Sequence, residues 1–131
     1  MAIMKMYGSA VDSNYIPRTN EIVVVNFPNG IGHEQGKERP AVVLQNMAGN
    51  RHSPTTIVAP LTSVYKKLDL PTHVMIYRQD YPDLAADSMI LAEQIMTIDK
   101  SRILYYNIGI LNERDRKRLD KALKISLSID S

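Results

Sequence analysis

Three histidines, His33, His52 and His73, are the side chains in this chain that titrate near neutral pH. A pair of them could act as general acid and base in a reaction that needs no metal. None lies at a metal-ligand spacing from another histidine or from a carboxylate, so no metal site is expected. His73 falls inside an apparent strand and reads as a structural residue. His33 and His52 fall in loops and read as surface residues. The chain has no phosphate-loop lysine motif, no nucleophile elbow and no paired-glycine dinucleotide fingerprint, so no cofactor is expected. Residue types alone leave the enzyme class open.

The elements that must position any site are mostly short strands. Glu21 to Phe27 is a β-branched run ended by Pro28-Asn29-Gly30, a strand followed by a turn. Residues 31–38 carry Gly32 and Gly36 among polar residues and predict a flexible loop. Pro40 to Gln45 reads as a second strand, Asn46 to Ser53 as a turn through Gly49 and Asn50, and Thr55 to Leu61 as a third strand. Residues 62–69 are polar, with room for a helical turn. Thr72 to Tyr77 alternates as a strand with one wet face does. Ser88 to Leu91 continues toward Ile98 as two strands or one bent strand, and Ile103 to Ile108 is a last apolar segment.

Only the end is clearly helical. Asn112 is a candidate N-cap with Asp115 three residues on, a weaker form of the capping box. Leu119, Ala122, Leu123 and Leu127 then recur at helical spacing as one apolar stripe. The first twenty residues show no period and read as a mobile arm or initial loop. The organisation expected is therefore an arm, 1–19, followed by one domain, 20–131. Its class is mainly β (α+β): a small, strongly curved sheet or barrel closed by a C-terminal helix.

Composition narrows the setting. The 131 residues suit one domain with an independent core. There is no cysteine, which excludes a disulfide framework, a thiolate nucleophile and a thiolate zinc site, and fits a reducing cytoplasm. No apolar run has the length of a signal-peptide core or a membrane span, so a cytoplasmic protein without membrane contact is expected. The net charge of +2 does not announce a nucleic-acid binder. Residues 113–124 hold six basic side chains against three acidic ones, chiefly the solvated face of the helix.

Four ordered blocks point further. Gly32-His33-Glu34-Gln35-Gly36-Lys37-Glu38-Arg39-Pro40, running on through Ala41-Val42-Val43-Leu44-Gln45-Asn46, resembles the first characteristic block of MazF/PemK toxins. Ser53-Pro54-Thr55-Thr56-Ile57-Val58-Ala59-Pro60-Leu61-Thr62 resembles the second, and Leu70-Pro71-Thr72-His73-Val74 the third. Asp87-Ser88, then Glu93-Gln94-Ile95 and Thr97-Ile98-Asp99-Lys100, resembles the fourth. The likeness spans residues 20–127 in matching order. The chain departs from the family at Asn20-Glu21-Ile22, where the first strand usually opens with Gly-Asp-Ile. It departs again at Lys37, where glycine is common, and in its longer N-terminal arm.

The resemblance implies a CcdB/MazF-type fold with an SH3-like barrel. It also implies a toxin of a type II toxin-antitoxin system that cleaves single-stranded RNA at a short sequence without metal. Arg39 and Thr62 are then the catalytic pair. Arg39 offers two parallel donors to phosphate oxygens and Thr62 one more, stabilising charge on the phosphorane as the 2′-hydroxyl attacks. The general base stays open. His33, Glu34 and Gln35, then Leu70, Pro71 and Thr72, and Glu93 and Gln94 are implied along the RNA groove. There Gln35 and Gln94 would read base edges and Glu93 would accept from an exocyclic amine. The implied partners are single-stranded mRNA, a MazE-like antitoxin and a second copy of the chain in a homodimer. The alternative is a CcdB-like toxin that binds DNA gyrase without enzymatic activity, with an RNA-binding regulator that does not cut as a third reading.

Overall fold

A computed structural model describes residues 8–28, 38–63 and 70–130. Among these residues eight strands and two α-helices follow in order, with a 3-10 turn at Lys100–Arg102 before the last strand. They are β1 (Ser9–Ala10), β2 (Glu21–Asn26), β3 (Glu38–Val43), α1 (Met47–His52), β4 (Thr55–Thr62), β5 (His73–Ile76), β6 (Ser88–Leu91), β7 (Met96–Asp99), β8 (Ile103–Ile110) and α2 (Glu113–Ser126). Every strand pairing is antiparallel, along the path β1-β8-β2-β3-β4-β6-β5, with β7 on the first half of β4. The mainly-β expectation, with its C-terminal helix, holds.

The sheet has an apolar core on each face. Ile22, Val24, Val42, Leu61, Ile76 and Ile90 join Leu111, Leu119 and Ala122 beneath α2. Val23, Val25, Phe27, Ala41, Val43, Val58, Ile98 and Ile103 form the second core. Strand β2 is thus covered on both sides, which is why its sequence is an unbroken aliphatic run instead of an alternation. Its pairing with β8 slips between Ile22 and Val25, and Asn107 of β8 adopts φ 63° beside that irregularity. Asparagine tolerates this left-handed conformation better than most residues, and such a bulge sharpens the curl of the sheet.

Residues 8–19, within the arm expected at 1–19, lie against the sheet. Strand β1 pairs with β8, and Val11 and Tyr15 pack against the second core. Tyr15 lies against Tyr106, with ring centroids 4.6 Å apart, and donates to the buried Glu21 carboxylate at 2.7 Å. Burial, and then the bond to Glu21, raises the Tyr15 phenol above its ordinary range. A side chain at Gly8 would place its Cβ 2.6 Å from the Tyr106 carbonyl oxygen, so this close approach requires glycine.

The turn expected at Asn46 to Ser53 is instead helix α1. Asn46 caps it by accepting from the Gly49 amide at 2.8 Å. The fully buried Asn50 then donates to the Gln45 carbonyl at 2.9 Å and accepts from the Thr56 hydroxyl at 2.7 Å. Tertiary hydrogen bonding overrides the poor helix propensity of Gly49 and Asn50. The bent-strand alternative resolves as two strands, β6 and β7, split by a turn at Ala92–Gln94.

Candidate active site

Strand β3 carries Arg39 near its start, and strand β4 ends at Thr62. Ala41 pairs with Pro60, Val42 with Ala59 and Val43 with Val58. The paired ladder ends there, and the same register carried on by two residues would set Arg39 opposite Thr62. Residues directly opposite in an antiparallel pair share a face, with Cβ atoms roughly 4.5–5.5 Å apart. Arg39 also lies opposite Val25 of β2. It therefore belongs to the same face as Val25, Ala41 and Val43, at the rim of the second core. Both Arg39 and Thr62 are half-buried. Burial pushes the Arg39 guanidinium below its ordinary pKa, because the charged form loses solvation there. Its planar guanidinium is suited to two phosphate oxygens at once.

The face extends beyond the pair. Thr62 lies opposite Met89 of β6, and Met89 opposite Met75 of β5. Two residues along β5, on the same face, stands His73, opposite Leu91. Strand spacing and rise place it about 12 Å from Thr62. The turn before β5 exposes Leu70 and Pro71, and Leu70 is among the exposed large apolar side chains. Beside that turn, Thr72 donates to Oε1 of Glu93 at 3.0 Å and His73 Nε2 meets Oε2 at 3.0 Å. The structure thus brings Thr72 and Glu93 together and adds His73 to them. Gln94 follows in the same turn, its amide nitrogen of the backbone bonded to the Leu91 carbonyl. Gln94 Oε1 and His73 Nδ1 are buried with no hydrogen-bond partner among the described residues. His33, Glu34 and Gln35 lie outside the described residues. His52 is exposed at the end of α1.

The position of His73 in a strand suggests a structural residue and does not reveal its bond to Glu93. The only signal was its position next to Thr72 in the third block, with Glu93 in the fourth. Among the described residues no three His, Asp or Glu side chains gather as a metal site requires.

The family model described as PemK-like, MazF-like toxin of type II toxin-antitoxin system matches residues 18–127. The chain belongs to this family. Endoribonuclease MazF of Staphylococcus epidermidis is 41% identical over 114 residues, covering 87% of this chain and 93% of that protein. Crystalline MazF from Deinococcus radiodurans superposes with a TM-score of 0.72 at 26% identity, covering 88% of this chain and 99% of that one. An endoribonuclease in complex with its cognate antitoxin, from a mycobacterial species, has the same fold. Its TM-score is 0.70 at 20% identity, covering 88% of this chain and 98% of that one. The fold is therefore that of the MazF toxins, and the residues matched by the family model include both Arg39 and Thr62. No helix of the described residues is long and apolar enough to cross a membrane.

Proposed function

We propose that this MazF-family toxin is a sequence-specific, metal-independent endoribonuclease that cuts single-stranded RNA, with Arg39 and Thr62 on the scissile phosphate. The β3–β4 register, which carried on by two residues would face a guanidinium with a hydroxyl at one rim of the sheet, carries the reading. The relative named as an endoribonuclease supports it. In metal-free cleavage the 2′-hydroxyl attacks the adjacent phosphorus and the 5′-oxygen leaves. Arg39 and Thr62 are donors aimed at the phosphate oxygens, where negative charge builds on the phosphorane. We assign Leu70, Pro71, Thr72, Glu93 and Gln94 to the RNA path beyond the pair, and the family resemblance alone adds His33, Glu34 and Gln35, which lie outside the described residues. Activity is held in check by a MazE-like antitoxin, a reading supported by family members solved with antitoxins. The working form is a homodimer, to be checked by its mass in solution.

The test is digestion of RNA in excess chelator. Discrete cut products are expected, and Arg39→Ala should lower their rate by on the order of 10²–10³. RNA left intact by the wild-type protein would overturn the proposal. Toxicity that survives Arg39→Ala would instead favour a CcdB-like gyrase binder, which needs no phosphate-stabilising arginine there.

A further inference from the structure

We propose that His73 and Thr72 are positioning residues. They fix the Glu93 carboxylate as the acceptor for the exocyclic amine of one RNA base, so that this subsite favours an amino-bearing base over uracil. The inference rests on the ribonuclease reading above and deepens it.

A carboxylate can only accept hydrogen bonds, so the Thr72 hydroxyl and the His73 Nε2–H both donate to it. The two contacts engage different oxygens, one each, and fix both the position and the plane of the group. They also join two loops, because Thr72 precedes β5 and Glu93 lies between β6 and β7. The His73 side chain is only 11% exposed, whereas Glu93 is 33% exposed. The holder is buried and the held group is open to a ligand. A carboxylate has about four lone-pair positions. Two are used, which leaves acceptor capacity on the open side of each oxygen.

The other ring nitrogen, Nδ1, is buried without a partner among the described residues. It adds no donor to the subsite. An amine of adenine, cytosine or guanine complements such acceptors, whereas uracil presents its O4 in the corresponding place and is repelled. A glutamate on a turn is ordinarily a mobile side chain, and holding it before RNA arrives removes an ordering cost from recognition. His73 shares a sheet face with Thr62. A base held at Glu93 therefore belongs to the strand whose phosphate lies at the Arg39–Thr62 pair.

The test begins with the wild-type protein, whose cut sites are mapped by sequencing the new 5′ ends. RNAs varied one base at a time around the cut should then show one position where an amino-bearing base is cut about tenfold faster than uracil. His73→Ala should bring that ratio close to one without shifting thermal unfolding. His73→Gln, whose amide nitrogen reaches the place of Nε2, should restore most of it. Adding His73→Ala to Glu93→Gln should change the ratio no further, because the histidine acts through the carboxylate. If His73→Ala does not fold, Thr72→Val removes the other contact and is read in the same way. Variants that cut more slowly but keep the wild-type base preference would overturn the inference and leave the ribonuclease standing. A wild-type protein that cuts no RNA would remove the ribonuclease reading, and this assignment with it.

Discussion

Two carboxylates in this molecule are held by the same kinds of group, and the outcomes differ. Asp115, in the first turn of α2, accepts from the Tyr81 hydroxyl at 2.7 Å, from Arg118 at 2.9 Å and from Arg114 at 3.3 Å. Its own backbone amide is capped by Asn112 at 2.8 Å. Tyr81 in turn accepts from the Asn112 amide at 3.0 Å, so the helix entrance and the β5–β6 connection are tied together. Asp115 is fully buried and its acceptor capacity is engaged. Glu93 has one hydroxyl and one imidazole, and its remaining capacity faces solvent. Completeness separates them: a saturated, buried carboxylate stabilises the fold, while a half-engaged, half-open one is kept for a ligand.

The comparison breaks most visibly at Asp115. Replacing it by alanine leaves Tyr81 without its acceptor and removes a negative charge from the N-terminal end of α2. A loss of about 2–4 kcal/mol in unfolding free energy is expected in a denaturant titration. Tyr81→Phe takes away one donor to Asp115 and the acceptor for Asn112, and should lose about 1–2 kcal/mol in the same measurement. Glu93→Ala should stay within about 0.5 kcal/mol of the wild type. A loss as large as that at Asp115 would erase the distinction.

Titration sharpens the same contrast. Burial works against the Asp115 charge, but the hydrogen bonds from Tyr81, Arg114 and Arg118 outweigh it and hold the carboxyl below its usual range. A depressed carboxylate contributes stability that is present above its unfolded pKa of about 3.9 and is lost as pH falls through the folded value. Burial, then the bond to Asp115, pushes the Tyr81 phenol up to about 12. A raised tyrosine contributes stability that is present below its unfolded pKa of about 10 and is lost as pH rises toward the folded value. Melting temperatures of the wild type should therefore drop below about pH 4 and above about pH 10. In Asp115→Asn the acid drop should shrink; if it does not, the cluster is not where the protein senses acid.

Much of this was legible in the residues. The strands of the core appear as aliphatic runs, because β2, β3 and β4 have covered faces that leave little room for polar residues. The cap at Asn112 was legible too, but only half of the capping box formed. Asp115 turns to Tyr81 and the arginines instead of reaching back to Asn112. Leu127, placed by spacing on the buried stripe, is 55% exposed at the helix end, since the stripe loses its cover after Leu123. Helix α1 was missed because what stabilises it is a network around Asn50, invisible to local propensity. At the site, block order picked out Arg39 and Thr62, yet no pattern in one sequence states the β3–β4 register on which their meeting depends. The His73–Glu93 contact joins residues twenty positions apart across two turns, and period alone cannot report it.

Strand β1 is only two residues long, yet it occupies one end of the strand path, where Val11 also bonds the Leu104 carbonyl at 3.1 Å. At the other end, Arg118 donates to the Met75 carbonyl of β5 at 2.7 Å. An unfilled edge is a template on which another chain can add its own backbone and start a fibril. In this toxin a two-residue strand at one end and an arginine on a β5 carbonyl at the other shorten the regular ladder that each end of that path offers.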